Sequence, residues 1–211
     1  MENLKNFYEE YHKRRELENP DHDFYKRAVL IVDALQKIGD SKKILDFGCG
    51  IGLMLKLVSD KISGDFYGVD ISETAIASAK KRLPFFEERL KVIENEAKLP
   101  FPDSFFDVIY SSEVIEHIFD TRAMFSELNR VLKPEGRLII TAPYHGLIKN
   151  LLICLLNFDK HFDPLGPHIR FYTLKSLKKV LRAQNFKIIK IKCQGRLLLI
   201  QKFLFAVAVK E

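Results

Sequence analysis

Short apolar runs alternate with longer amphipathic segments along most of this 211-residue chain. The runs have the length of buried strands, and the segments between them have the spacing of helices with one apolar face. The pattern predicts strands near Lys43–Asp46, Phe66–Asp70, Lys91–Glu94, Asp107–Ser111 and Arg137–Thr141. Strands and helices that alternate in this way indicate an α/β fold, in which a parallel sheet carries helices on both faces.

Further segments complete the predicted order of elements. The predicted helices are Asn3–Glu18, Asp23–Ile38, Ser72–Arg82 and Thr121–Leu132, and Phe186–Cys193 and Phe203–Val209 are a predicted closing pair of strands. Because the length suits one domain and no repeat or low-complexity linker interrupts it, we predict a single domain over 1–211. Its subdivisions are N-terminal helices over 1–40 and an inserted, lid-like segment over 144–170.

A glycine-rich turn follows the first predicted strand. Asp46 closes the strand, and Gly48, Gly50 and Gly52 stand at alternate positions before an apolar, helix-like segment. Glycine lacks a Cβ, so a ligand can lie against the backbone there, facing the N–H groups of a helix N-terminus. A dinucleotide loop reads G-x-G-x-x-G, but Leu53 occupies the place of its last glycine.

An acid ends the second predicted strand, about twenty residues after the loop, where a carboxylate can accept hydrogen bonds from both hydroxyls of a ribose. That acid is Asp70, and Ile71 beside it could lie against an adenine face. The alternative is that Asp70 starts the next helix. Ser72 is the better N-cap, so we favour the ribose role.

Four pieces of sequence together resemble class I S-adenosylmethionine-dependent methyltransferases. They are the D-x-G-x-G-x-G spacing, the acid at Asp70, the Leu-Pro-Phe at Leu99–Phe101 and the Leu-Lys-Pro-Glu-Gly at Leu132–Gly136. The resemblance runs from about Leu45 to Pro143. It implies a Rossmann-like, doubly wound sheet, mostly parallel with an antiparallel last strand, and S-adenosyl-L-methionine as cofactor. The predicted cofactor-binding residues are Asp46, Gly48, Cys49, Gly50, Gly52, Asp70, Ile71, Asn95, Glu96, Ser111 and Tyr11.

Two of these predicted cofactor contacts have alternative interpretations. Members of the family often carry an Asp shortly before Leu-Pro-Phe that touches the adenine amino group, whereas this chain has Asn95 there. An Asn oxygen can still accept from an amine, and Glu96 is the competing candidate. Tyr11 would close the site if the first helix folds over the sulfonium, because aromatic faces attract cations; packing on the sheet is its alternative role.

The segment after the fourth strand carries the candidate acceptor chemistry. Its Glu-Val-Ile-Glu-His, at Glu113–His117, resembles ubiquinone-biosynthesis O-methyltransferases and small-RNA 2′-O-methyltransferases, some of which bind a divalent metal through the two Glu and the His. On a helix, Glu113, Glu116 and His117 would share a face. We favour a metal-free site, because three ligands do not complete a coordination shell. The catalytic candidates are then His117, His145 and Glu113, with either histidine as general base; His161 and His168 rank behind them.

Composition and charge bear on the cellular compartment and on the possible binding partners. Cys49, Cys154 and Cys193 lack metal-site spacing and suit a reducing compartment, and no N-terminal signal is visible, so we expect a cytoplasmic protein. From Lys149 onward the chain holds 13 Lys and Arg against 3 Asp and Glu, a charge of +10 within a net +6. An anionic substrate, nucleic acid or acidic membrane surface could meet this charge; a solvated helix face is the reading we favour.

The inserted segment holds an apolar run, Leu147–Phe158, that is too short for the about 20 residues of a membrane span. We predict a buried lid or core helix there, in preference to a helix on a membrane or dimer surface.

The resemblance implies a methyltransferase that acts at oxygen on a small quinol-like, lipid-like or secondary-metabolite acceptor. Two alternatives stay open: an RNA methyltransferase, for which no appended RNA-binding motif is visible, and a non-catalytic cofactor-binding partner protein, against which the intact loop argues.

Overall fold

The structure, a computed structural model, describes residues 9, 20–39, 42–95, 97–162, 168–197 and 200–211. In this part of the chain, short 3-10 helices cover Pro84–Arg89 and Ile115–His117. The other elements, in chain order, are α1 His22–Gln36, β1 Lys42–Phe47, α2 Leu53–Ser59, β2 Gly64–Asp70, α3 Glu73–Arg82, β3 Leu90–Val92, β4 Phe106–Ser112, α4 Thr121–Val131, β5 Leu132–Pro143, α5 Leu147–Leu156, α6 Phe158–His161, α7 Leu174–Ala183, β6 Phe186–Leu197 and β7 Ile200–Lys210.

The strands of the described residues form a seven-stranded sheet in the order β3-β2-β1-β4-β5-β7-β6. Strands β1 to β5 are parallel to one another, whereas β7 lies between β5 and β6 and is antiparallel to both. The predicted Rossmann-like sheet with an antiparallel last strand is therefore confirmed. The strand order reverses between β1 and β4, and in open α/β sheets ligands bind at the carboxyl ends beside such a switch point.

Apolar cores cover both faces of the sheet because side chains alternate along each strand. In β1, Ile44 joins a core with α1, α2 and α3, while Leu45 joins the opposite core, which includes Leu128 of α4 and Leu177 of α7. Helices therefore lie on both faces, as the alternating sequence pattern predicts.

Side-chain caps fix where several helices begin. Ser72 Oγ accepts from the N–H of Ala75 at 3.0 Å, so Ser72 is the N-cap of α3, as predicted. Thr173 and Ser176 form a capping box at α7, an arrangement that satisfies two otherwise unpaired N–H groups.

The fifth strand begins five residues before its predicted start. It starts at Leu132, because the Lys-Pro-Glu-Gly turn is an irregularity within the strand and does not precede it. Glu135 adopts a φ of 60° there, and the pairing with β4 shifts register between Phe106 and Val108.

The inserted segment is helical but is not buried, so the predicted burial is wrong. No residue of α5 is buried; Leu147 is 85% exposed and Leu155 is 71% exposed. The pattern of apolar residues predicted a core helix, but α5 packs mainly against α6 and β7 and leaves most of its apolar side chains exposed. None of the helices in the described ranges combines the length and apolarity that a membrane crossing demands.

The division into one domain with N-terminal helices over 1–40 stays a prediction. Its first helix, Asn3–Glu18, lies outside the described residues apart from Glu9, and residues 163–167 of the inserted segment lie outside them as well.

Candidate active site

The glycine loop between β1 and α2 is held tightly against the end of β2. Gly48, Gly50 and Gly52 have φ values of 77°, 51° and 78°, a left-handed region that glycine enters without strain. The N–H groups of Gly48 and Cys49 both donate to the Val69 carbonyl at 2.9 Å. A Cβ on Gly48 would collide with the methyl groups of Val114, so this position has no room for a side chain.

Asp70 joins this loop to the start of α3. Its Oδ2 accepts from the N–H of Gly50 at 2.8 Å, and its Oδ1 accepts from the N–H of Ser72 at 3.0 Å. The carboxylate is 8% exposed. The structure therefore brings the predicted ribose acid directly against the predicted glycine loop.

Glu9 is a residue near this site that the sequence analysis missed. Its two carboxylate oxygens accept from the N–H groups of Glu73 and Thr74, at 2.6 and 3.0 Å. Burial acts in the opposite direction, but hydrogen bonds from Thr74 and Glu73 lower the pKa of Glu9. The contact spans more than sixty residues of sequence, so no local pattern could have indicated it.

Three predicted cofactor residues are buried beneath the loop. Burial raises the pKa of Asp46 to about 8, the charge of Asp70 adds to this rise, and Tyr110 opposes it. Burial also raises the pKa of the Cys49 thiol, whose Sγ lies over Gly68 in the core. Ser111 is fully buried, and its hydroxyl has no hydrogen-bond partner among the described residues.

The remaining predicted cofactor residues lie at the margin of the site or outside the described residues. Asn95 is half-buried, and its Oδ1 accepts from the N–H of Ala97 at 3.0 Å. Ile71 is half-buried against the core. Glu96 and Tyr11 lie outside the described residues, and their cofactor contacts stay predictions.

Glu113 does not share a helical face with Glu116 and His117, so that expectation is wrong. Its φ is 58°, and the 3-10 helix begins only at Ile115; a left-handed residue cannot continue an α-helix. Burial raises the pKa of Glu113, against the opposing charge of Arg27. Glu113 Oε1 accepts from the Thr141 hydroxyl at 3.1 Å, and Oε2 lies 3.9 Å from Nη1 of Arg27.

Glu116 and His117 instead meet His168. Each of the three offers one ligand atom, and these atoms lie within 4.8 Å of one another. Nε2 of His117 is 3.7 Å from Oε1 of Glu116. Neither oxygen of the buried Glu116 accepts a hydrogen bond from a described residue. Burial, with the charge of Glu113, raises the Glu116 pKa well above its usual range, so this carboxyl needs a proton or a cation.

His145 lies outside this three-residue group. It is 3% exposed, and its ring packs 4.8 Å from that of Phe171 and 5.5 Å from that of His161. Its Nδ1 has no hydrogen-bond partner among the described residues. Burial, together with the charge of Lys149, lowers the pKa of His145 to about 4. The imidazole is therefore neutral near pH 7, but it is a weak base.

The doubly wound sheet, the glycine loop and the acid that holds it are the features expected of a class I S-adenosylmethionine-dependent methyltransferase domain. Comparison with known proteins agrees: residues 45–140 match the family model described as "Methyltransferase domain". The matched residues are a methyltransferase domain, and relatives named as S-adenosylmethionine-dependent methyltransferases indicate S-adenosyl-L-methionine as its cofactor.

Relatives and a solved structure extend the likeness beyond the matched residues. The chain is 30% identical over 158 residues to phosphoethanolamine N-methyltransferase 2 of Caenorhabditis elegans, covering 72% of this chain and 34% of that protein. It is 32% identical over 153 residues to the mitochondrial ubiquinone biosynthesis O-methyltransferase of Schizosaccharomyces pombe, covering 70% and 56%. Haemonchus contortus phosphoethanolamine N-methyltransferase 2, solved with S-adenosyl-L-methionine, superimposes with a TM-score of 0.72 at 19% identity, covering 88% and 52%.

The chain spans about a third and a little over half of the length of these two curated relatives. By name, one relative methylates nitrogen and the other acts as an O-methyltransferase. The similarity to these relatives therefore supports the domain and its cofactor in this chain, but it does not identify the atom that accepts the methyl group.

Proposed function

We propose that this chain transfers a methyl group from S-adenosyl-L-methionine to an oxygen atom of a small acceptor. The observation that carries the proposal is that Asp70 is fixed to the glycine loop, with the Glu116–His117–His168 group on the segments after β4 and α6. When bound, the cofactor supplies an electrophilic methyl group on a sulfonium.

The glycine loop and Asp70 would hold the nucleoside end of the cofactor. Asp70 has both oxygens oriented by backbone N–H groups, and a carboxylate can accept further bonds from ribose hydroxyls. Ile71 would face the adenine, and Asn95 would meet its amino group. Glu96, Ser111 and Tyr11 remain proposed contacts of the same cofactor.

The group of Glu116, His117 and His168 supports oxygen as the atom that accepts the methyl group. A hydroxyl must lose its proton as the new O–C bond forms, and a positioned base takes that proton. The imidazole of His117 would accept it, and the resulting cation, with Nε2 3.7 Å from Oε1 of Glu116, would supply the positive charge that this buried carboxyl needs. An uncharged amine attacks with a lone pair that needs no prior deprotonation. His145 is a weaker candidate because of its lowered pKa, and Glu113 would position Arg27 and Thr141.

Some of the proteins that the chain resembles bind a divalent metal here, and two residues of their ligand set, Glu116 and His117, are joined in this chain by His168. Glu116, His117 and His168 together offer a carboxylate and two imidazoles, and Glu116 has two oxygens without a hydrogen-bond partner among the described residues. Glu113 does not belong to this set, since its oxygens face Thr141 and Arg27. A bound metal would lower the pKa of an acceptor hydroxyl, and three protein ligands would leave positions for it.

Methyl transfer from labelled cofactor, measured against quinols, lipid-like alcohols, amines and an RNA, tests the proposal. We expect labelled product with a hydroxyl acceptor, and a loss of roughly 100-fold or more in His117→Asn, the range of general-base catalysis. Label found only on amines or only on RNA would contradict oxygen methylation of a small acceptor.

His168→Asn separates the base from the metal. If His117 acts alone, this variant keeps most of the rate and chelator has no effect. If a metal is bound, the variant and the chelator both remove activity, and Mn²⁺ binding followed by electron paramagnetic resonance is lost in the variant. His22→Asn, a change of the same type on α1, is the control.

A further inference from the structure

Helix α5 has the reverse of the polarity of an ordinary surface helix, because its polar side chains face the protein and its apolar side chains face solvent. Its polar residues face the protein: Lys149 Nζ donates to the Tyr144 carbonyl at 2.8 Å, and Asn150 Nδ2 donates to the His145 carbonyl at 3.5 Å. Its exposed side chains are Cys154 and six large apolar ones, which are Leu147, Ile148, Leu151, Leu152, Leu155 and Leu156. A surface helix in water normally has the opposite arrangement, so this apolar face needs a covering.

A basic helix lies beside this apolar face. Lys175, Lys178, Lys179 and Arg182 of α7 line a cleft of about 720 Å³ together with Leu147, at the start of α5. Neither α5 nor α7 contains an acidic residue. Apolar and cationic side chains are therefore next to each other on one surface.

We propose that this surface, the outward face of α5 with the basic side chains of α7, docks on a bilayer that contains anionic lipid. A helix that lies in the headgroup region buries its apolar face there, and neighbouring cations are attracted to the anionic headgroups. The proposal does not rest on methyl transfer. It would place the cleft beside His145 at the bilayer surface, where an apolar acceptor could enter.

A second copy of the chain is a poorer occupant. The ten residues of α5 form a rod about 15 Å long and about 10 Å wide, against the about 800 Å² that each partner buries in a standard interface. Symmetric pairing through this surface would also bring the basic residues of two α7 helices together. The charge suits lipid headgroups of opposite sign better than an identical surface.

Co-sedimentation with vesicles, without cofactor or acceptor, tests the proposal. The vesicles are phosphatidylcholine alone or phosphatidylcholine with part replaced by phosphatidylglycerol. We expect binding to the anionic vesicles only, weakened by salt because headgroup attraction is screened. Leu151→Ser with Leu155→Ser should lower the affinity by roughly 100-fold, since each change removes an inserted side chain.

Matched control variants distinguish vesicle binding through this surface from non-specific hydrophobic or electrostatic binding. Val29→Ser with Phe85→Ser changes two apolar side chains elsewhere; Val29 and Leu151 are both 58% exposed. Lys175→Glu with Lys179→Glu should weaken binding at least about tenfold. Lys61→Glu with Lys81→Glu should not, although either pair takes the net charge from +6 to +2, because each exchange lowers it by two.

Three outcomes would overturn the proposal. The first is no binding of the wild type to anionic vesicles, or equal losses in the variants and their controls. The second is a dimer in light scattering that the α5 variant dissolves. The third is binding of single-stranded RNA that needs α7 but not α5, without vesicle binding. Circular dichroism and cofactor titration of each variant verify that it is folded.

Discussion

The glycine loop and the segment after β5 are built in opposite ways. In the loop, Gly48 and Asp70 are each fixed by partners on other elements, with Val114 above Gly48 and backbone N–H groups on both oxygens of Asp70. Beyond β5, Leu147 and Leu155 of α5 are turned to solvent. The first region is held in place by contacts within the chain, as a preorganised cofactor site requires. The second leaves its apolar face for something outside the chain.

The largest expected difference between the regions is in stability. Leu55→Ala, at a fully buried position of α2, should lower the free energy of unfolding by about 3 kcal/mol, because it loses burial and leaves a cavity. Leu151→Ala should change it by less than about 0.5 kcal/mol. Urea denaturation of both variants measures this. A similar loss for Leu151→Ala would mean that α5 is part of the core after all.

The same contrast explains what the sequence could predict. The glycine loop and Asp70 follow from local spacing within about thirty residues, and the doubly wound sheet follows from the family resemblance that this spacing supports. Other parts of the site depend on contacts between distant segments, which are those made by His168, by Glu9 and by Arg27 with Glu113. Local spacing in the sequence cannot predict such contacts. The exposure of α5 was missed because periodicity shows which residues are apolar but does not show whether a neighbouring element covers them.

A smaller effect should separate the cofactor site from surface charge. Asp70→Asn should weaken S-adenosyl-L-methionine binding by about 1–3 kcal/mol, through the loss of charge-assisted hydrogen bonds. Asp60→Asn is the control, since it removes the same charge from a half-exposed ion pair with Lys56 at the end of α2. Calorimetric titration of both variants decides it. An unchanged dissociation constant for Asp70→Asn would remove Asp70 from the cofactor site.

The smallest effect concerns the buried acid under the loop. The pKa of Asp46 is raised to about 8 in the folded protein, whereas it is near 4 in the unfolded chain. Between these two pKa values the folded state therefore binds one more proton than the unfolded state does. Stability from this group therefore falls as pH rises through that window and levels off above about 8. Between pH 7 and 9 we expect a loss of about 1 kcal/mol that Asp46→Asn lacks.

Thermal and urea unfolding at both pH values, in the wild type and in the variant, measure this difference. Equal slopes would show that Asp46 is ionised in the fold at pH 7.

Calorimetry of the wild-type chain with S-adenosyl-L-methionine and with NAD tests the central claim most directly. The claim is that the loop of Gly48, Gly50 and Gly52, held by Asp70, is a methyltransferase cofactor site and not a dinucleotide site. It predicts saturable binding of one S-adenosyl-L-methionine per chain and no heat with NAD. Saturable NAD binding without heat from S-adenosyl-L-methionine would contradict it.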